Sequence, residues 1–111
     1  MLEIDMEFKK GILIVRIKGR LDINTYHQLD KELNDIVVNN GIKYLLLNIT
    51  NLDYLDEYGL KVIRNNYINI MKNKGKLLLC GTDKILDYNI NINDTLYQIK
   101  KEEGAFQLIQ I

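Results

Sequence analysis

The sequence predicts an α/β domain: a mixed sheet of about five strands, opened by an N-terminal hairpin, continued by parallel crossovers and flanked by about four helices. Three observations lead there. Residues 2–18 hold two runs of strand character separated only by Lys9-Lys10-Gly11. After them, stretches with an apolar stripe of helical period alternate with short apolar runs. Those runs, Tyr44-Leu45-Leu46-Leu47 and Leu77-Leu78-Leu79-Cys80, lack the alternation of a half-exposed strand, as expected when both faces are covered.

In chain order, Leu2, Ile4, Met6 and Phe8 alternate with Glu3, Asp5 and Glu7, the period of a half-buried strand. Ile12 to Lys18 is the second strand, rich in β-branched residues, and Gly19 is expected to close it. Arg20 to Thr25 reads as a loop. The helix after it places Tyr26, Leu29, Leu33, Ile36 and Val37 on one face. Thr25 and Gln28 have the spacing of a capping box, and Asn24 is an alternative cap. Gly41 is the expected left-handed stop. Ile42 to Ile49 is a strand. A second helix is expected from Glu57 to about Asn73, with Leu60, Ile63, Tyr67, Ile70 and Met71 buried and Gly75 as its stop. Lys76 to Cys80 is a buried strand. Asp83 is placed to cap a short helix, Lys84 to about Tyr88. Residues 89–94 read equally as a loop, a frayed helix end or part of a strand. Thr95 to Ile99 is a last strand, and Lys101 to Leu108 a closing helix weakened by Gly104. No repeat or linker interrupts the chain, so residues 1–111 are read as one domain.

Composition narrows the function classes. Hydrophobic residues make up 47% and charged ones 27%, an ordinary globular balance. With 15 basic and 15 acidic residues there is no general attraction to nucleic acid or to anionic membrane. The opening Met-Leu-Glu-Ile-Asp-Met-Glu is unlike a signal peptide, and no apolar run is long enough to span a bilayer. The expected compartment is the cytoplasm. A single cysteine, Cys80, excludes an internal disulfide, and a single histidine, His27, excludes a histidine-rich metal site. No metal or cofactor is expected. Cys80 reads as a small buried hydrophobe and His27 as a surface helix residue.

Asn48 to Leu60 organises the chain, because it reads as the loop from the central strand into the second helix, where parallel α/β sheets carry function. Asp56 is a good N-cap, and Glu57 lies in the first turn, where the helix dipole favours negative charge. Gly59 removes a side chain, so that another molecule can approach the backbone.

Four motifs in this order resemble the STAS domain, and within it the anti-sigma factor antagonists of sporulation and stress regulation. Gly19-Arg20-Leu21-Asp22 resembles the family's Gly-x-Leu-Asp, and Leu45-Leu46-Leu47-Asn48-Ile49 its central strand. Leu55-Asp56-Glu57-Tyr58-Gly59-Leu60 resembles its Asp-Ser-Ser-Gly-Leu signature, and Gly75 to Cys80 the strand after the second helix. The likeness runs from residue 3 to about residue 84. It implies a non-catalytic module that binds an anti-sigma factor, itself a serine kinase, and so frees a sigma factor. In such systems the kinase phosphorylates the first signature serine, and the added charge at the helix N-terminus breaks the complex. The implied partner-binding residues are Asp22, Ile23, Asn24, Asp56, Glu57, Tyr58, Gly59, Leu60, Lys61 and Arg64. No nucleic acid or membrane partner is implied, and the expected state is a monomer or weak homodimer.

The chain departs from the signature at the residue that matters most. Glu57 stands at the accepting serine and Tyr58 at the second serine. Glu57 is then either a permanent mimic of phosphoserine or a contact for a partner that does not phosphorylate, the reading preferred here. A plain alternative is a first-turn glutamate that complements the helix dipole, worth roughly 0.3–1 kcal/mol. Asp22 reads equally as a partner contact or a turn residue. Tyr58 is a candidate hot spot or a packing residue, and Thr82 a secondary phosphosite or contact or, the plainer reading, a turn residue. Rival classes are a scaffold or stressosome-like subunit and a ligand sensor. An enzyme is disfavoured: Asp22, Asp53, Asp56 and Glu57 are acidic, but no Ser-His or Cys-His pair and no Gly-rich phosphate loop accompanies them.

Overall fold

The computed structural model describes residues 1–81 and 96–108. The order is β1 (Leu2–Lys9), β2 (Ile12–Leu21), α1 (Tyr26–Asn40), β3 (Tyr44–Leu55), α2 (Glu57–Lys72), β4 (Lys76–Cys80), β5 (Leu96–Ile99) and α3 (Glu103–Leu108). The strands form one sheet in the order β1-β2-β3-β4-β5. β1 and β2 pair antiparallel through a tight turn in which Lys10 and Gly11 both take positive φ. β2, β3, β4 and β5 pair in parallel. The mixed α/β sheet expected from the sequence is therefore present. The expected helix at 84–88, the ambiguous stretch 89–94, and Thr82 and Asp83 lie outside the described residues.

The sheet separates two apolar layers. On one face, Leu29, Leu33 and Val37 of α1 and Leu60, Val62, Ile63 and Ile70 of α2 pack on Leu13, Val15, Leu45, Leu47, Leu77 and Leu79. On the other, Ala105 and Phe106 of α3 cover Ile12, Ile14, Leu46, Leu78 and Cys80. The runs without alternation are thus buried on both faces, as their composition required. On the α3 side the polar residues of the sheet converge. Arg16 donates to Glu102 at 2.8 Å through both Nε and Nη2, and reaches Asp5 at 3.1 Å and Glu7 at 3.0 Å. Asn48 donates to Glu102 at 2.7 Å. Arg16 holds the Glu102 carboxyl below its usual range, with Asn48 helping and burial opposing.

Several boundaries differ from the sequence reading. β2 does not close at Gly19 but runs on to Leu21. Gly19 sits inside the strand at φ +103°, beside a register shift, where a side chain would collide with the Met1 carbonyl. β3 likewise runs past Ile49 to Leu55, so half of the expected loop is strand. Its Asn and Asp residues are turn signals, but pairing of Asn51, Leu52, Tyr54 and Leu55 with the extended β2 overrides them. The capping box of α1 does not form. The Thr25 side chain makes no cap bond, and Gln28 donates to the Leu2 carbonyl instead. Gly41 does take the left-handed stop, at φ 60° and ψ 40°. After α2 that role falls to Lys74 at φ 61°. Gly75 is needed for a different reason, since its backbone lies against the Lys43 carbonyl. Met71 is exposed rather than buried, and Asn66 takes a buried place on α2.

Candidate functional site

The extensions of β2 and β3 carry two neighbouring loops. At the register pair Leu21↔Leu55 the strands end together, and the loops into α1 and α2 leave side by side. One carboxylate joins them. Asp56 Oδ1 accepts from the N–H groups of Tyr58 (2.9 Å) and Gly59 (3.2 Å), capping α2. Asp56 Oδ2 accepts from the Ile23 N–H at 3.1 Å, in the other loop. The Asp56 N–H in turn donates to the Leu21 carbonyl at 3.3 Å. The N-terminus of α2 and the approach to α1 are thus held as one unit.

Asp22 organises the first loop from inside. It is only 7% exposed, and its carboxylate accepts from the Asn24 N–H at 3.0 Å and from Arg20 Nε at 3.2 Å. The Thr25 hydroxyl accepts from the Asp22 N–H at 2.9 Å and donates to the Arg20 carbonyl at 2.7 Å. Burial pushes the Asp22 carboxyl up, but the Asn24 N–H, Arg20 and Thr25 overcome it and hold it below the ordinary aspartate range. This is the geometry of a turn residue. Ile23 and Asn24 project from the same loop, with Ile23 52% exposed.

In the second loop Gly59 and Leu60 face inward. A Cβ on Gly59 would stand 2.5 Å from Leu55 Cδ1 and 2.8 Å from the Leu21 carbonyl, so the glycine lets α2 seat against the strand ends of its own chain. Leu60 is 3% exposed and belongs to the core. Tyr58 is half-buried. Its ring lies 5.3 Å from that of Tyr26 on α1, and Lys61 Nζ stands 5.2 Å from its centre. Near the N-terminus of α2, Glu57, Lys61 and Arg64 face outward and with Leu60 line a depression of about 330 Å³.

Two residues at this end escaped the sequence reading. Arg20 stacks over the Tyr54 ring at 4.2 Å, and Tyr54 is 43% exposed. Both fall in stretches that read as loop, and their pairing across β2 and β3 has no local signal. The signal available was the Arg and Tyr themselves, residue types favoured in interfaces. Among the described residues, no three or more His, Cys, Asp or Glu side chains group as a metal site. No helix among them is long and apolar enough to cross a membrane.

A family model of the STAS domain matches residues 3–93. The chain belongs to the STAS domain family. The match spans both loops and the whole of α2, so Asp56 and Glu57 lie inside the shared region. This STAS domain also resembles anti-sigma factor antagonists. The anti-sigma F factor antagonist of Paenibacillus polymyxa is 26% identical over 110 residues, covering 99% of this chain and 86% of that protein. The structure of the anti-sigma factor antagonist SpoIIAA in its unphosphorylated form superposes with a TM-score of 0.77 at 14% identity, covering 98% of this chain and 100% of that one. The phosphorylated form of SpoIIAA, from Bacillus, gives 0.75 at 13% identity, with coverage of 96% and 100%. A serine-to-glutamate variant of RsbS from Moorella thermoacetica gives 0.78 at 14% identity, with coverage of 95% and 92%. These structures share the fold of this STAS domain.

Proposed function

We propose that this STAS domain is a non-catalytic antagonist that binds an anti-sigma factor and thereby controls the availability of a sigma factor. Its binding face is the exposed part of the two joined loops, namely Ile23 and Asn24 from the first and Glu57, Tyr58, Lys61 and Arg64 from α2. Asp22, Asp56, Gly59 and Leu60 serve that face by shaping it. The observation that carries the reading is the exposed Glu57 at the capped N-terminus of α2, which the resemblance to the family's signature aligns with the accepting serine.

Glu57 supplies about one negative charge where a phosphoserine carries nearly two. It lies one helical turn before Lys61 and shares the depression with Arg64. An anionic side chain among two cations on one exposed surface suits a standing contact better than a repulsive switch. In this reading Glu57 is a constant part of the interface, and the partner is an anti-sigma factor that does not switch this protein by phosphorylation. The test is an affinity capture from native lysate with wild type, Glu57→Ser and Glu57→Gln side by side, identifying bound proteins by mass. The proposal expects the wild type to hold an anti-sigma factor and both variants to lose most of it. Capture of an anti-sigma kinase by Glu57→Ser alone, with phosphate appearing on the new serine, would mark Glu57 as a frozen phosphomimic instead. Capture by none of the three, with sibling STAS chains recovered in large assemblies, would favour a scaffold.

A further inference from the structure

A second surface lies along the opposite edge of the sheet, away from α2. Among the described residues β1 is the terminal strand and pairs on one side only, with β2. Natural edges are blunted by short length, proline, bulges or lysine. β1 is 8 residues long, the chain has no proline, and the pairing of β1 with β2 runs from Leu2↔Gly19 to Lys9↔Ile12 without a shift. Its protection is charge, from Glu3, Asp5, Glu7 and Lys9, three of the four acidic, which leaves the edge open to a basic partner.

Beside this edge, between β1 and α1, runs a groove of about 460 Å³. Its floor is apolar, formed by Ile4, Met6 and Ile36, and its wall is acidic, formed by Glu32 and Asp35. Among the described residues neither wall carboxylate has an ion-pair partner. The other face of β1 carries Glu3, Asp5 and Glu7, of which Arg16 holds the last two. We infer that this edge and groove form a docking site for an extended basic segment of another protein. The segment adds to the sheet beside β1, sets an apolar side chain on Ile4, Met6 and Ile36, and brings Lys or Arg over Glu32 and Asp35.

Charge decides the occupant. A second copy would bring two identical acidic edges together; Arg16 balances only Asp5 and Glu7, so Glu3 of each strand has no opposite charge to meet on the other. A basic strand instead gains from Glu3, Glu32 and Asp35, which Arg16 does not hold. The inference is independent of the proposed function, since it uses neither Glu57 nor α2.

The test is a titration of the isotope-labelled full chain with a short synthetic peptide of repeating Lys-Val-Lys-Lys, which puts valine and lysine in turn on the groove face and lysine on the other, followed by amide NMR shifts. The expected result is saturable shifts concentrated along Leu2–Lys9 and at Ile36. Affinity should fall about tenfold in the Glu32→Lys/Asp35→Lys variant, whose sites are on the exposed face of α1, and stay unchanged in Glu57→Gln. The same peptide with glutamate for lysine should not bind. The inference is overturned if the shifts avoid β1, if the double variant binds as well as the wild type, or if the acidic peptide binds equally. It is also overturned if the β1 amides move with protein concentration alone, which would make a second copy the occupant.

Discussion

Replacing Asp56 with alanine removes three hydrogen bonds held by one side chain: two from the first turn of α2 and one from Ile23 in the neighbouring loop. Losing an aspartate N-cap costs about 1 kcal/mol, within a range of roughly 0.5–2. The favourable charge at the helix N-terminus goes with it, roughly another 0.3–1 kcal/mol. The Ile23 N–H is exposed, so water replaces its partner and adds little. The sum is about 1.3–2 kcal/mol, which for a chain of this size lowers Tm by about 5–12 °C. Asp56→Asn keeps the Oδ1 acceptor of the cap and loses the charge and the acceptor of the exposed Ile23 N–H, so it should cost about 1 kcal/mol or less. Urea unfolding followed by circular dichroism, with all three proteins at one pH and salt concentration, separates the two contributions. The reasoning is refuted if Asp56→Ala unfolds within about 0.5 kcal/mol of wild type, the level of an uninvolved surface change. It is equally refuted if Asp56→Asn is as damaging as Asp56→Ala, since the geometry of the acceptor would then not matter.

Three further outcomes are expected. Gly59→Ala should lower the urea midpoint by about 1–3 kcal/mol of stability despite alanine's better helix propensity, because the added Cβ meets the Leu21 carbonyl and Leu55. A gain in stability would show that α2 has room to shift. The carboxyl of Glu102 is held low in the folded state by Arg16, so its contribution is complete above the ordinary glutamate range and is lost as pH falls through the depressed folded value. Urea stability should therefore drop on acidification in wild type, and drop less in Glu102→Gln; equal slopes would refute this. Burial pushes the Cys80 thiol up, so native protein at neutral pH should react with a thiol reagent far more slowly than protein in urea. Comparable rates would place that sulfur at the surface.

The fold was legible where period and burial agree. Leu45-Leu46-Leu47 and Leu77-Leu78-Leu79 announced strands covered on both sides, and the stripe through Leu29, Leu33 and Val37 announced α1. The reading failed where pairing, not local preference, decides. Thr50 to Asp53 look like a loop because Asn and Asp favour turns, yet an extended β2 is there to pair with them. The same cause hid Arg20 and Tyr54, which meet only because both strands run on. Within the site, Asp56 was readable as a cap because capping is local. Its bond to Ile23 links residues far apart in the chain, and nothing local encodes it. Gly59 looked like an opening for a visitor, but Leu21 and Leu55 already fill the space it leaves.

The pairing of β3 with β4 stops at Asn48↔Cys80, whereas β3 continues with β2 to Leu55. The two loops are therefore mounted on the overhanging end of a beam whose root is clamped in the core. The N-terminus of α2 is bracketed to the first loop by Asp56, through its carboxylate to Ile23 and its N–H to Leu21. A load on that bracket falls on the lead-in to α1 and not on the double-sided packing at the root. The rest of the sheet serves as a fixed mount for both loops.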